Sequence, residues 1–253
     1  MRGTLCPRAV FAEFFGTFLL QVPISLLPQW ERRMCFGFSA AISFSVALTY
    51  NISGGYINPA VALVFFSFGE LPFVKFVIYV IAQCLGAVCA SLLVLIVYYD
   101  AIIAHDGGHQ QFAFHNSSTA HLFVSFPAEH VTLRGGLVDQ IIGSALFIYL
   151  IVFVADSRNG IPHQARPLLF GVAFAAVTTG IGINTGYPLN PADLCSRLFI
   201  HVLVGYGPQI FEPLNGVWIW VPVVSPFVGA LIGAWSYQFT IGSCLREDPS
   251  TND

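Results

Sequence analysis

Apolar residues fall along this chain in long blocks broken by short polar stretches. Six blocks stand out, at about 9–27, 35–50, 72–99, 136–155, 167–183 and 217–241. Each approaches the roughly 20 helical residues needed to cross a hydrocarbon core. Two further apolar runs, about 58–68 and 190–203, are too short to cross. The pattern predicts six spanning helices, with one half-span after the second and one after the fifth.

Both short runs open on the same tripeptide. Asn58-Pro59-Ala60 follows Ser53-Gly54-Gly55-Tyr56-Ile57, and Asn190-Pro191-Ala192 follows Asn184-Thr185-Gly186-Tyr187-Pro188-Leu189. Asn is a favoured helix N-cap, and Pro suits the first helical position because its missing N–H has no partner there anyway. Each tripeptide therefore predicts a helix start inside the membrane, its positive dipole end directed at a shared point.

Composition agrees with lipid as the solvent. The 253 residues are 56% hydrophobic and 9% charged, where a soluble domain carries about a quarter charged residues. A net charge of −3 without a basic cluster gives no reason to expect nucleic acid. The six cysteines lie mostly in apolar runs without metal-like spacing, and read as small core residues. Four histidines (His105, His109, His115, His121) are irregularly spaced in the polar stretch 100–135. No metal site or cofactor is expected. The run after Arg8 reads as the first span rather than a leader, since five more follow and no clear small-residue cleavage site is visible.

The two halves correspond in detail, within one domain covering 1–253. Glu13-x-x-Gly16 matches Gln140-x-x-Gly143, and Gln83-x-x-Gly86-Ala87 matches Pro226-x-x-Gly229-Ala230. The repeats run from about 9 to 125 and from 134 to 245. An odd number of spans in each forces opposite orientations, hence an inverted repeat. With both termini cytoplasmic, six Lys or Arg lie inside against four outside, and the Asn116-Ser117-Ser118 glycosylation acceptor lies outside. Non-helical backbone at membrane depth is tolerated where it lines a wet cavity, so the loops before Asn58 and Asn190 predict a pore. Loop carbonyls, amide donors and two positive helix ends suit neutral, hydrogen-bonding solutes and repel cations.

On these residues, with Ala12-Glu13-Phe14-Phe15-Gly16, Gly160-Ile161-Pro162 and Val221 to Ala230, the chain resembles an aquaporin over essentially its whole length. Within that family it is most similar to the glycerol-conducting aquaglyceroporins. The resemblance implies an all-α membrane protein, a right-handed bundle of six transmembrane helices plus two re-entrant half-helices. It further implies a homotetramer in the plasma membrane, with one pore per subunit for glycerol, water and such solutes as urea. Carried over by position, the outer constriction falls on Phe38, Thr178 and Tyr187. Phe38 and Tyr187 either supply an apolar pore wall or simply pack. Tyr56, where the family usually has His, is either a gate or packs against the second block.

The main departure is at the second tripeptide. The family's motif continues with Arg-Asp, whereas here Asp193 follows Ala192 directly. Asp193 thus joins the constriction as a carboxylate of the wrong sign for the usual charge barrier. Arg197, four residues on, is placed to pair with it on a helix. A wider pore, a relaxed cation barrier, a poorly folding subunit and a variant that lost the residue all fit. A conducting but altered pore is the favoured reading. The alternative is a non-conducting protein that keeps the fold for assembly or adhesion. No His or Ser is spaced for catalysis with Glu13, Asp139 or Asp156, so an enzyme is not expected. Glu13 is expected instead to hold the first re-entrant loop by accepting backbone N–H groups, with Gln140 doing the same in the second half.

Overall fold

The computed structural model describes residues 6–21, 30–106, 119–186, 188–211 and 216–245. Among these residues every regular element is helical. Six long helices are α1 (Pro7–Gln21), α2 (Trp30–Ser53), α4 (Phe73–Asp106), α5 (Leu133–Ala155), α6 (Arg166–Ile181) and α8 (Trp220–Tyr237). The short helices α3 (Pro59–Ser67) and α7 (Asp193–Phe199) follow the second and fifth of them, where the apolar pattern places the half-spans. Four stretches are long and apolar enough to cross a membrane: Cys35–Ser53, Phe73–His105, Leu133–Ala155 and Trp220–Gly242. Helices α1 and α6 have 15 and 16 residues, about 23 Å at 1.5 Å per residue, and are the short members of the bundle.

Packing repeats between the halves. Helix α1 lies against α2 and α4, α5 lies against α6 and α8, and α2 meets α6 across the middle. Each half-helix crosses over: α3 packs on α8, and α7 on α4. Close approach is made possible by glycine. A Cβ on Gly86 of α4 would collide with the Phe14 carbonyl oxygen of α1, and one on Gly233 of α8 with the Ala145 carbonyl of α5. Lipid supplies no hydrophobic drive between helices, so such backbone contact carries the association.

Burial is arranged for lipid outside and a polar seam within. Phe44, Val202 and Phe239 are each at least 71% exposed, whereas Glu13, Thr17, Gln83, Gln140 and Thr178 are buried. The two membrane faces differ. The terminal face carries residues 68–72, 156–165 and the two described chain ends. The loop face carries 119–132, 205–211 and 216–219. At 34 residues, α4 is about 51 Å long, well beyond a core of about 30 Å. Its Ile102 packs there with Leu122, Phe123, Tyr206 and Ile210 in a second apolar cluster that roofs the loop face.

Two glycine substitutions test this packing. Gly86→Val should lower the thermal stability of the purified protein by about 1–3 kcal/mol or more, because backbone cannot yield to the added atoms. Gly37→Ala, on α2 with nothing within 4 Å of the added Cβ, should leave it unchanged or slightly higher. Equal effects would contradict the packing argument.

Candidate functional site

The two re-entrant loops meet through their asparagines. Asn58 Nδ2 donates to the Leu189 carbonyl at 3.0 Å, and Asn190 Nδ2 donates to the Ile57 carbonyl at 3.2 Å. Each Oδ1 accepts the N–H two residues on, Ala60 at 2.8 Å and Ala192 at 3.1 Å. One amide N–H on each side chain is thus committed and one remains. Ile57 has φ 45°, the only positive value outside glycine among the described residues. For a β-branched residue this conformation costs on the order of 1–3 kcal/mol. It turns the Ile57 carbonyl to accept both Asn190 and the Thr17 hydroxyl.

Carboxylates hold both loops. Glu13, fully buried, accepts Tyr56 N at 3.1 Å, Ile57 N at 2.8 Å, Ser53 Oγ at 2.6 Å and Gln83 Nε2 at 2.6 Å. The second half differs from the sequence expectation. Gln140 reaches its loop through the Thr185 hydroxyl at 2.5 Å, not through backbone N–H groups. The organising acceptor is its neighbour Asp139, which takes Asn184 Nδ2 at 2.8 Å, Thr185 Oγ1 at 2.7 Å and Gln140 Nε2 at 3.2 Å. An ionised carboxylate accepts at both oxygens, whereas an amide spends half its capacity as a donor. Asp139 was read from the sequence as an isolated acid; the polar loop 45 residues away gave no sign that the two would meet.

A single cavity of about 420 Å³ runs past both asparagines. Three helices supply its apolar wall from positions four apart: Phe38, Ile42, Val46 and Tyr50 on α2, Phe147 and Ile151 on α5, Phe170 and Phe174 on α6. Phe38 thus lines the cavity, its ring 6.3 Å from Phe174. Thr178 is buried on the same helix, four residues beyond Phe174. Its hydroxyl turns back to the Phe174 carbonyl at 2.8 Å, a bond that Thr forms readily within a helix. Tyr56 lines the cavity and packs against Phe65 and Tyr79, at 5.1 and 6.0 Å. Tyr187 and Asn116 lie outside the described residues. His121 to Ser125 also form part of the wall, which the sequence did not reveal because they belong to a polar stretch without periodicity.

The two half-helices open differently. In the first half-helix the Asn58 carbonyl accepts Ala62 N, four residues on. In the second, the carbonyls of Asn190, Pro191 and Ala192 accept the N–H groups three residues on, at 3.1, 3.2 and 3.0 Å. The opening turn is therefore wound tightly, and the regular helix starts at Asp193 rather than just after the Asn. At its other end the half-helix widens into a π-helical turn, Ile200–Val204. Asp193 lines the cavity, and Arg197 is fully buried behind it at 3.0 Å. Arg197 also donates to the carbonyls of Ile210 at 2.8 Å and Ser125 at 2.7 Å, with Phe126 5.4 Å away. It ties three loop-face segments together and does not line the cavity.

At the terminal face the cavity is lined by Glu70, His163 and Arg166. Arg166 Nη1 donates to the Tyr50 hydroxyl at 3.2 Å. The preceding turn is latched to α8: Asp156 is bidentate with Arg158, and Tyr237 donates to it at 3.0 Å. Burial pushes the Asp156 carboxyl up, but the bonds from Arg158 and Tyr237 outweigh it and hold the group below its ordinary value. A depressed carboxyl stabilises the fold above its unfolded pKa and loses that contribution as pH falls through the folded one.

Two half-helices meeting end to end inside six membrane helices, with a lined passage beside them, define an integral membrane channel. The comparisons give its family. The major intrinsic protein family matches residues 2–237. Human aquaporin-10 is 35% identical over 258 residues, covering 97% of this chain and 85% of its own. Human aquaporin-9 is 37% identical over 246 residues, covering 92% and 82%. The aquaglyceroporin structure from Plasmodium falciparum superposes with a TM-score of 0.80 at 25% identity, covering 94% of this chain and 97% of that one. The chain belongs to the major intrinsic protein family, whose members are channels and not enzymes.

Replacing Glu13 with Leu would leave two loop N–H groups and the Gln83 amide without their acceptor. That should destabilise the fold by about 3–5 kcal/mol and sharply lower surface expression, while Glu13→Gln should retain part of it. Normal expression of the Leu variant, measured by surface labelling, would contradict the bracing role.

Proposed function

We propose that this protein is a passive channel for glycerol and water, and for other small neutral solutes such as urea, with an altered outer constriction. The observation that carries this reading is the continuous cavity passing both asparagines, from Glu70 and Arg166 at one face to Ser125 and Asp193 at the other. Its two sides suit an amphipathic solute. Phe38, Phe147 and Phe174 offer carbon a surface, while the loop carbonyls and the free amide N–H groups of Asn58 and Asn190 exchange bonds with hydroxyls. The converging half-helix ends oppose cations. Phe38, Thr178 and Asp193, with Tyr187, make the constriction. The loop face is extracellular, the termini are cytoplasmic, and Asn116 is an extracellular glycan acceptor. The protein works as a homotetramer in the plasma membrane, as the kinship with aquaporin-9 and aquaporin-10 supports.

Oocytes expressing the chain, with surface protein and membrane current recorded together, test the reading. Isosmotic glycerol should drive swelling many-fold faster than in uninjected cells, without added current. Surface protein without swelling would overturn it in favour of a non-conducting assembly role. Insertion of Arg after Ala192 would then show whether the missing residue is the cause.

A further inference from the structure

The loop-face end of the cavity presents a charge that the reading above does not use. Asp193 has 15% of its side chain exposed there. Its Oδ1 accepts Ser125 N at 3.4 Å and its Oδ2 accepts Arg197 Nη2 at 3.0 Å. A carboxylate has about four acceptor positions, so about two remain toward the cavity. The compensating cation is sunk in protein: Arg197 is fully buried, with two of its nitrogens donating to main-chain carbonyls. A solute in the cavity therefore meets the negative end of the pair first. The cavity lining also contains Gln21, His121, Phe123 and Ser125. Gln21 Oε1 accepts the Ser196 hydroxyl at 3.0 Å, which fixes its position beside α7.

We propose that this end of the cavity binds a small planar organic cation of the guanidinium or amidinium class, which occludes the channel instead of crossing it. A guanidinium offers parallel N–H donors in the geometry a carboxylate accepts, and a flat face for an aromatic ring. Binding is confined to one end by the charges beyond it. Past Asp193 the cation would reach the free amide N–H groups of Asn58 and Asn190 and the positive end of α3, which disfavour it. At the far end Arg166 and His163 face the cavity, and Glu70 there is exposed, where water screens its attraction. The inference rests on the proposed channel activity, since occlusion is read as loss of flux.

The experiment measures glycerol flux through the full chain with guanidinium chloride or urea in the medium. Urea has nearly the same shape without the charge. Flux without either compound tests the channel reading alone, and each variant is compared with its own uninhibited rate. Millimolar guanidinium should inhibit the native protein and urea at the same concentration should not. Asp193→Asn should raise the half-inhibiting concentration about tenfold, and Asp193→Glu should raise it less. Guanidinium should also inhibit from one membrane face only, which decides the matter on the native chain if Asp193→Asn fails to reach the membrane. Equal inhibition of the Asn variant, equal action from both faces, no inhibition, or a guanidinium current would each overturn the proposal.

Discussion

The exchange between two asparagines and two carbonyls is the contact on which the rest of the architecture depends. Asn58 bonds the chain just before Asn190, and Asn190 bonds the chain just before Asn58. Neither half supplies its own partner, so the centre exists only when both loops are in place. A strained Ile57, a crossed-over packing of α3 and α7, and carboxylates below each loop all serve this exchange. In a medium without water, a polar loop is stable only with every donor placed. That requirement explains why Glu13 and Asp139, costly residues at this depth, are retained.

The halves are related but not equivalent, and the differences concentrate on the second. The first loop is braced by a glutamate from within α1 acting on backbone N–H groups, the second by an aspartate acting on side chains. The first half-helix opens as a regular α-turn, the second as a tighter one. The loop-face wall carries the carboxylate of Asp193, and Arg197 is an internal tie between α7, Ser125 and Ile210.

Much of this was legible in the sequence, because lipid imposes simple rules. Block length gave the order of the helices, and the repeated Asn-Pro-Ala gave the half-helices and their meeting point. The Asp193–Arg197 pair followed from a spacing of four. What escaped was contact between segments distant in sequence. Asp139 and Thr185 are 46 positions apart, and nothing local signals their bond. The 121–125 wall lies in a stretch whose position is set by Arg197, which sequence periodicity does not register.

A double-mutant cycle on the central exchange tests the account most directly. Glycerol permeability and thermal stability would be measured in proteoliposomes for Asn58→Ala, Asn190→Ala and the pair. If the two bonds form one unit, each single change should abolish most of the flux, and the double variant should be little worse than either. Small, additive losses would contradict the claim that the exchange organises the pore.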